Sequence, residues 1–156
     1  ISKGLQEIID EKNVEVLLIP MHYPEDLEIC QRIRGAVDRE DCHILQAKYT
    51  AEEIMGIIGK LEMMVAMRLH SLIYAATRKV PMMGLIYDPK VEGLLRELEI
   101  PYSLSVDNLD ADSFKEVFDA AWNDLDKMRE NISEKEEGLK RLAHENVEIA
   151  FRITGR

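Results

Sequence analysis

The sequence predicts an α/β fold: a doubly wound parallel sheet with helices on both faces. Three observations carry this. Short apolar runs rich in branched residues recur along the chain. Amphipathic segments of helical period lie between them, joined by short connections. The length, 156 residues, suits one domain with a proper core.

The elements follow in order. "SKGLQEIIDEKN" opens the chain as a helix. "VEVLLIP" (Val14 to Pro20) reads as a buried strand. In "PEDLEICQRIRGAV", Pro24 suits a first turn and Glu25 and Asp26 suit the positive end of a helix. Its apolar face is expected on Leu27, Ile29, Ile33 and Val37. "CHILQA" is the second strand. Thr50 then caps "AEEIMGIIGKL", with Glu53 completing a capping box. "MMVAM" (Met63 to Met67) is the third strand, followed by a helix over "HSLIYAATRK" that packs through Leu72, Ile73 and Ala76. "VPMMGLIY" (Val80 to Tyr87) is the fourth strand, "PKVEGLLRELEI" a helix, and "YSLSV" a short fifth strand. Residues 111–156 read as a charged, solvated tail of two helices broken near Asn131 and Ser133. The sum is a single Rossmann-like domain over residues 1–156.

Composition narrows the function. The hydrophobic share is 46% and the charged share 32%, as in a soluble globular class. The net charge of −10 disfavours nucleic acid and anionic lipid surfaces. No apolar run approaches the roughly 20 residues of a membrane span, and no secretion signal is evident. Cys30 and Cys42 form no CxxC and read as free thiols of a reducing cytoplasm. The first residue is Ile1 rather than Met, so the chain is expected to be part of a longer protein.

The chemistry is expected at the carboxyl ends of the strands, where doubly wound sheets bind ligands. Arg68, His70 and Ser71 fall between the third strand and its helix. A helix N-terminus attracts an anion. Arg68 adds a planar cation suited to phosphate or carboxylate, and His70 a group that exchanges protons near neutral pH. In the plainer reading Arg68 snorkels to solvent and His70 caps the turn. "YDPK" ends the next strand, which brings Tyr87 and Lys90 to the same edge if the strands are neighbours. A lysine at a helix start is electrostatically misplaced, and a bound anion would resolve the misfit. His22 lies after the first strand and is a weaker candidate. His43 is discounted as lying at the opposite edge, and His144 as a surface residue. The histidines and cysteines lack zinc spacing, so no metal site is expected. Met63, Met64, Met67, Met82 and Met83 read as core filler. No GxGxxG, GxxxxGK[ST] or GxSxG occurs, which leaves dinucleotide, P-loop and serine hydrolase readings without support.

"MVAMRLHSLIYAATRKVPMMGLIYDPKVEGLL", with "LIPMHYPEDLEI" upstream, resembles the polysaccharide pyruvyl transferase family. It is most similar to the CsaB-type branch that pyruvylates secondary cell wall polymers, which implies a setting of S-layer anchoring. The resemblance implies the C-terminal lobe of a two-lobed, GT-B-like enzyme. It also implies transfer of the enolpyruvyl group of phosphoenolpyruvate to a sugar diol, giving a pyruvate ketal and phosphate. Its partners would be phosphoenolpyruvate, a lipid-linked glycan acceptor and an N-terminal lobe of the same protein. No cofactor is implied. By the same resemblance His70 and Lys90 are the catalytic candidates and Arg68, Ser71 and Tyr87 the donor-binding ones. The location implied is cytoplasmic, at the inner membrane face at full length. The chain alone is expected to fold and to show little transferase activity. Two alternatives stay open. One is the nucleotide-sugar lobe of a GT-B glycosyltransferase or UDP-sugar epimerase, which a ribose-binding carboxylate would favour, though the sequence offers no clear candidate for one. The other is a noncatalytic α/β signalling or interaction module, which would carry an acidic cluster at the carboxyl edge where this chain instead places Arg68.

Overall fold

Most of the short strands are branched or sulfur-rich apolar runs, each flanked by a helix with one apolar face, and the computed structural model assembles them into parallel sheets. It describes residues 1–154. The side chains at 139, 142, 143, 146 and 150 and the last two residues of the expected tail lie outside the described set.

Helix α1 (Ser2–Lys12) precedes β1 (Val16–Leu18), α2 (Glu25–Val37) and β2 (Cys42–Ile44). Helix α3 (Ala51–Ile58), β3 (Met64–Ala66), α4 (Leu69–Thr77), β4 (Met82–Ile86), α5 (Pro89–Glu97) and β5 (Ser103–Ser105) continue the alternation. Helices α6 (Ala111–Trp122) and α7 (Leu125–Thr154) close it. All pairings are parallel, and the fold is Rossmann-like, as expected. The ladders form two groups. β1 pairs with β2, with Val16 opposite Cys42. β4 lies between β3 and β5, with Met64 opposite Met82 and Gly84 opposite Ser103.

Strand β4 explains the two helical layers. Alternate residues of a strand face opposite sides. Met82 joins the core beneath α3, α4, α5 and α7, together with Ile58, Leu72, Leu95 and Ile132. Met83 and Leu85 join Ile8, Phe114 and Phe118 of α1 and α6 on the other side. A Cβ at Gly84 would collide with Leu95, so glycine here lets α5 settle onto the strand. Helix α1 spans both sheet groups: Ile8 packs with Phe114, and Ile9 packs with Val37 and Cys42 beside β1 and β2.

Several local expectations are corrected. On α4 the buried positions are Ser71, Leu72, Ala75 and Ala76, while Ile73 is exposed. On α2, Cys30 is buried and Ile29 exposed. Met67 is exposed, because it lies beyond the end of β3. His43 lies within β2, opposite Leu17, with Nε2 3.3 Å from a Glu15 carboxylate oxygen. The final helices break at Asn123 and Asp124, and α7 runs on through Asn131 and Ser133. Both residues find partners outside the helix: Asn131 donates to the Glu99 carbonyl and Ser133 accepts from Lys79. Tertiary contacts thus override their weak helix propensity. The expected solvated tail also supplies core, since Phe114, Phe118, Ala121, Met128 and Ile132 are buried. Farther along α7, Val147, Ile149, Phe151 and Ile153 are exposed. Among the described residues no helix is long and apolar enough to cross a membrane.

Candidate functional site

The parallel register of β3 and β4 decides which loops meet. Ala66 lies opposite Gly84, so the residues just beyond Ala66 and those just beyond Ile86 emerge at one carboxyl edge. Arg68 and His70 leave β3 there, and Tyr87 and Lys90 leave β4 there. The loop after β1 carries His22 and leads into α2, whose first-turn Asp26 ties it to this edge by a side-chain pair.

Arg68 is the N-cap of α4, with an extended backbone and a carbonyl that accepts from the Ser71 N–H at 3.1 Å. No side chain caps this helix. The Leu69 and His70 N–H groups of its first turn therefore remain a place for an anion. Helix α5, in contrast, is capped by Asp88, whose Oδ1 accepts from the Lys90 N–H at 2.8 Å, with Pro89 in the first turn. Helix α3 carries the expected capping box between Thr50 and Glu53.

The Arg68 side chain neither snorkels alone nor stands free. Its Nε donates to Asp26 Oδ2 at 2.8 Å and its Nη2 to Oδ1 at 2.5 Å. Asp26 Oδ2 also accepts the His22 N–H at 2.9 Å. Burial works against ionisation of the Asp26 carboxyl. The Arg68 hydrogen bond, then the His22 N–H and the nearby Arg68 charge outweigh it and hold the group below the usual carboxylate range. On Arg68 the Asp26 hydrogen bond holds the proton on against the cost of burial. The Asp26 charge and then Tyr87 and Glu25 add to it. The guanidinium stays charged, and its Nη1 has no partner among the described residues.

His70 and Lys90 are exposed, and among the described residues neither side chain has a hydrogen-bond or ion-pair partner. Tyr87 is 53% exposed. Ser71 is the exception among the expected site residues. It is 1% exposed, because the helical period that turns His70 outward turns Ser71 into the core. His22 is exposed, with Nδ1 3.7 Å from a Glu25 carboxylate oxygen.

Asp26 is the residue that sequence reasoning missed. The sequence offers it only as an acid at a helix start. The missing signal is how the β1–β2 pair sits against β3: the start of α2 and the turn after β3 have to meet for these two residues, 42 positions apart, to pair.

Among the described residues no group of three or more metal-ligating side chains comes together. Cys30 and Cys42 are buried and free. Burial raises both thiols, with Asp26 adding to the effect at Cys30 and Arg34 opposing it at Cys42. Both therefore stay protonated and unreactive at neutral pH. The open edge thus offers a paired arginine with a spare nitrogen, an imidazole, an amine and a phenol, beside an uncapped helix start. Such a set can hold an anion and move a proton.

The model of one family, described as polysaccharide pyruvyl transferase, matches residues 1–89. The match takes in Arg68, His70 and Tyr87 and ends one residue short of Lys90. No curated protein matches the chain. With more than half of its length matched, and with the parallel α/β architecture that its motifs implied, the chain belongs to the polysaccharide pyruvyl transferase family.

Proposed function

We propose that the carboxyl edge of β3 and β4 holds phosphoenolpyruvate, and that the chain is the C-terminal Rossmann-like lobe of a two-lobed enzyme making a pyruvate ketal on a cell-wall polysaccharide. The observation that carries this reading is the unpaired state of His70 and Lys90 beside Arg68, at the ends of neighbouring parallel strands. The donor has a phosphate and a carboxylate, and each needs cations.

In the reaction, two sugar oxygens bond to the central enolpyruvyl carbon and the bond from that carbon to the phosphate oxygen breaks. Of the two hydroxyl protons, one ends on the methylene carbon, making it a methyl, and the other leaves with phosphate. His70 is the group suited to carry a proton between these sites. Arg68 and Lys90 hold the anionic groups and stabilise charge on the departing phosphate. Tyr87 lines the same edge. The reading makes the protein a cytoplasmic enzyme that meets a lipid-linked acceptor at the inner membrane face.

A nucleotide-sugar lobe would need a carboxylate open to ribose. Asp26, the acid beside Arg68, has both oxygens engaged. The test is phosphate release from phosphoenolpyruvate by the full-length protein with a glycan acceptor. Arg68→Ala should raise the donor KM by about 10- to 100-fold, the size of a lost charge-assisted hydrogen bond. Tight binding of a UDP-sugar with no phosphate release from phosphoenolpyruvate would overturn the reading.

A further inference from the structure

A guanidinium recognises an anion well only when its plane is fixed, because its donors lie in one rigid fork. In this fold something already fixes that plane. Asp26 grips the Nε and Nη2 side of Arg68 with both carboxylate oxygens and leaves Nη1 without a partner among the described residues. Asp26 is itself held from two sides: its Oδ2 accepts the His22 N–H at 2.9 Å, and its own N–H donates to the His22 carbonyl at 2.8 Å. The Asp26 side chain is 20% exposed against 41% for Arg68. The carboxylate is thus the sheltered, anchored member, and the guanidinium the more open one.

We infer that Asp26 is a positioning residue for donor binding, holding Arg68 so that its Nη1 side is presented to the anionic donor. The inference rests on the proposed donor site at this edge. Asp26 does not touch the donor in this account; it acts through Arg68. A bidentate partner removes the rotamer freedom that a long side chain would otherwise lose on binding. It also keeps Arg68 in place across a seam where the β1–β2 and β3–β5 groups share no ladder.

A double-mutant cycle on donor KM in the full-length enzyme tests this, with melting temperatures measured alongside. Asp26→Ala should raise the phosphoenolpyruvate KM by about 10- to 100-fold, the scale of a misplaced binding group, while kcat changes little. In an Arg68→Ala background the same substitution should add almost nothing, because the group it positions is gone. Asp26→Asn keeps the shape and one acceptor oxygen and should fall between wild type and Asp26→Ala. If Asp26→Ala does not fold, Asp26→Asn is carried through the same cycle. A wild-type or lowered donor KM in the Asp26 variant would overturn the inference, the lowered value meaning that Asp26 competes with the donor. A penalty of equal size with and without Arg68 would overturn it too, since that is what a merely structural contact gives. A normal donor KM in Arg68→Ala alone would overturn the donor-site reading, and this inference with it. A raised KM in Arg68→Ala but not in Asp26→Ala would overturn this inference alone.

Discussion

The two edges of the β3–β4–β5 sheet treat their polar side chains in opposite ways. At the amino edge most of them tie α7 down, although Lys60 and Arg78 are exposed with no side-chain partner among the described residues. Arg129 meets Glu62 and Asp126, Tyr102 donates to Asp124 at 2.6 Å, Lys135 meets Glu99, and Lys79 donates to Ser133. The Glu62, Glu99 and Ser133 pairs fasten α7 to the start of β3 and to the ends of α5 and α4. At the carboxyl edge Arg68 is paired, but His70, Lys90 and Tyr87 are exposed, and the first two have no partners among the described residues. The paired groups at the amino edge close the structure, whereas at the carboxyl edge the Lys90 amine and the His70 imidazole are left open at helix starts, where the dipole mildly disfavours a cation. An anion arriving there is the natural partner for them.

Substitutions at the two edges should therefore separate activity from stability. The largest effect is expected at His70. In the full-length enzyme His70→Ala should cut kcat by about 100- to 10,000-fold, the usual contribution of a proton-transfer group. Its melting temperature should stay near wild type, since the imidazole touches no partner among the described residues. A folded His70→Ala enzyme with near-normal kcat would leave the histidine as a plain surface residue at the turn.

The smaller effect belongs to the amino edge. Tyr102→Phe removes the hydroxyl that donates to Asp124 and should cost about 1 to 2 kcal/mol in denaturant unfolding. Activity should be unchanged. The pH dependence sharpens this. The Asp124 hydrogen bond, with burial and the Asp124 charge behind it, pushes the Tyr102 hydroxyl up to about 12. An unfolded tyrosine titrates near 10. A folded pKa above the unfolded one means that the contribution is complete below about pH 10 and is lost as pH rises toward about 12. The stability gap between wild type and Tyr102→Phe should accordingly hold up to about pH 10 and narrow from there toward about pH 12. A gap that stays constant would mean that the hydroxyl's proton is not what stabilises the protein.

Most of the fold was legible because its signals are local. The apolar runs, the Thr50 capping box and the Asp88–Pro89 helix start each lie within a few residues. What escaped depends on distant partners. Nothing near Asn131 or Ser133 says that Glu99 and Lys79 will receive them, so a helix break was expected where α7 continues. Ser71 looked like a site residue by its place in the motif, but the helical period buries it. Arg68, His70, Tyr87 and Lys90 were legible as one edge, because two adjacent parallel strands require it. The Asp26 partner of Arg68 was not legible, because it depends on how the β1–β2 group sits against β3.

The central question is which edge of the sheet receives the donor. A crystal structure of the full-length protein with phosphoenolpyruvate bound tests this most directly. The predicted result is a phosphate and carboxylate in contact with Arg68 Nη1, His70 and Lys90 at the carboxyl edge, with the Arg68–Asp26 pair intact. A donor bound with none of those three side chains in contact would contradict it.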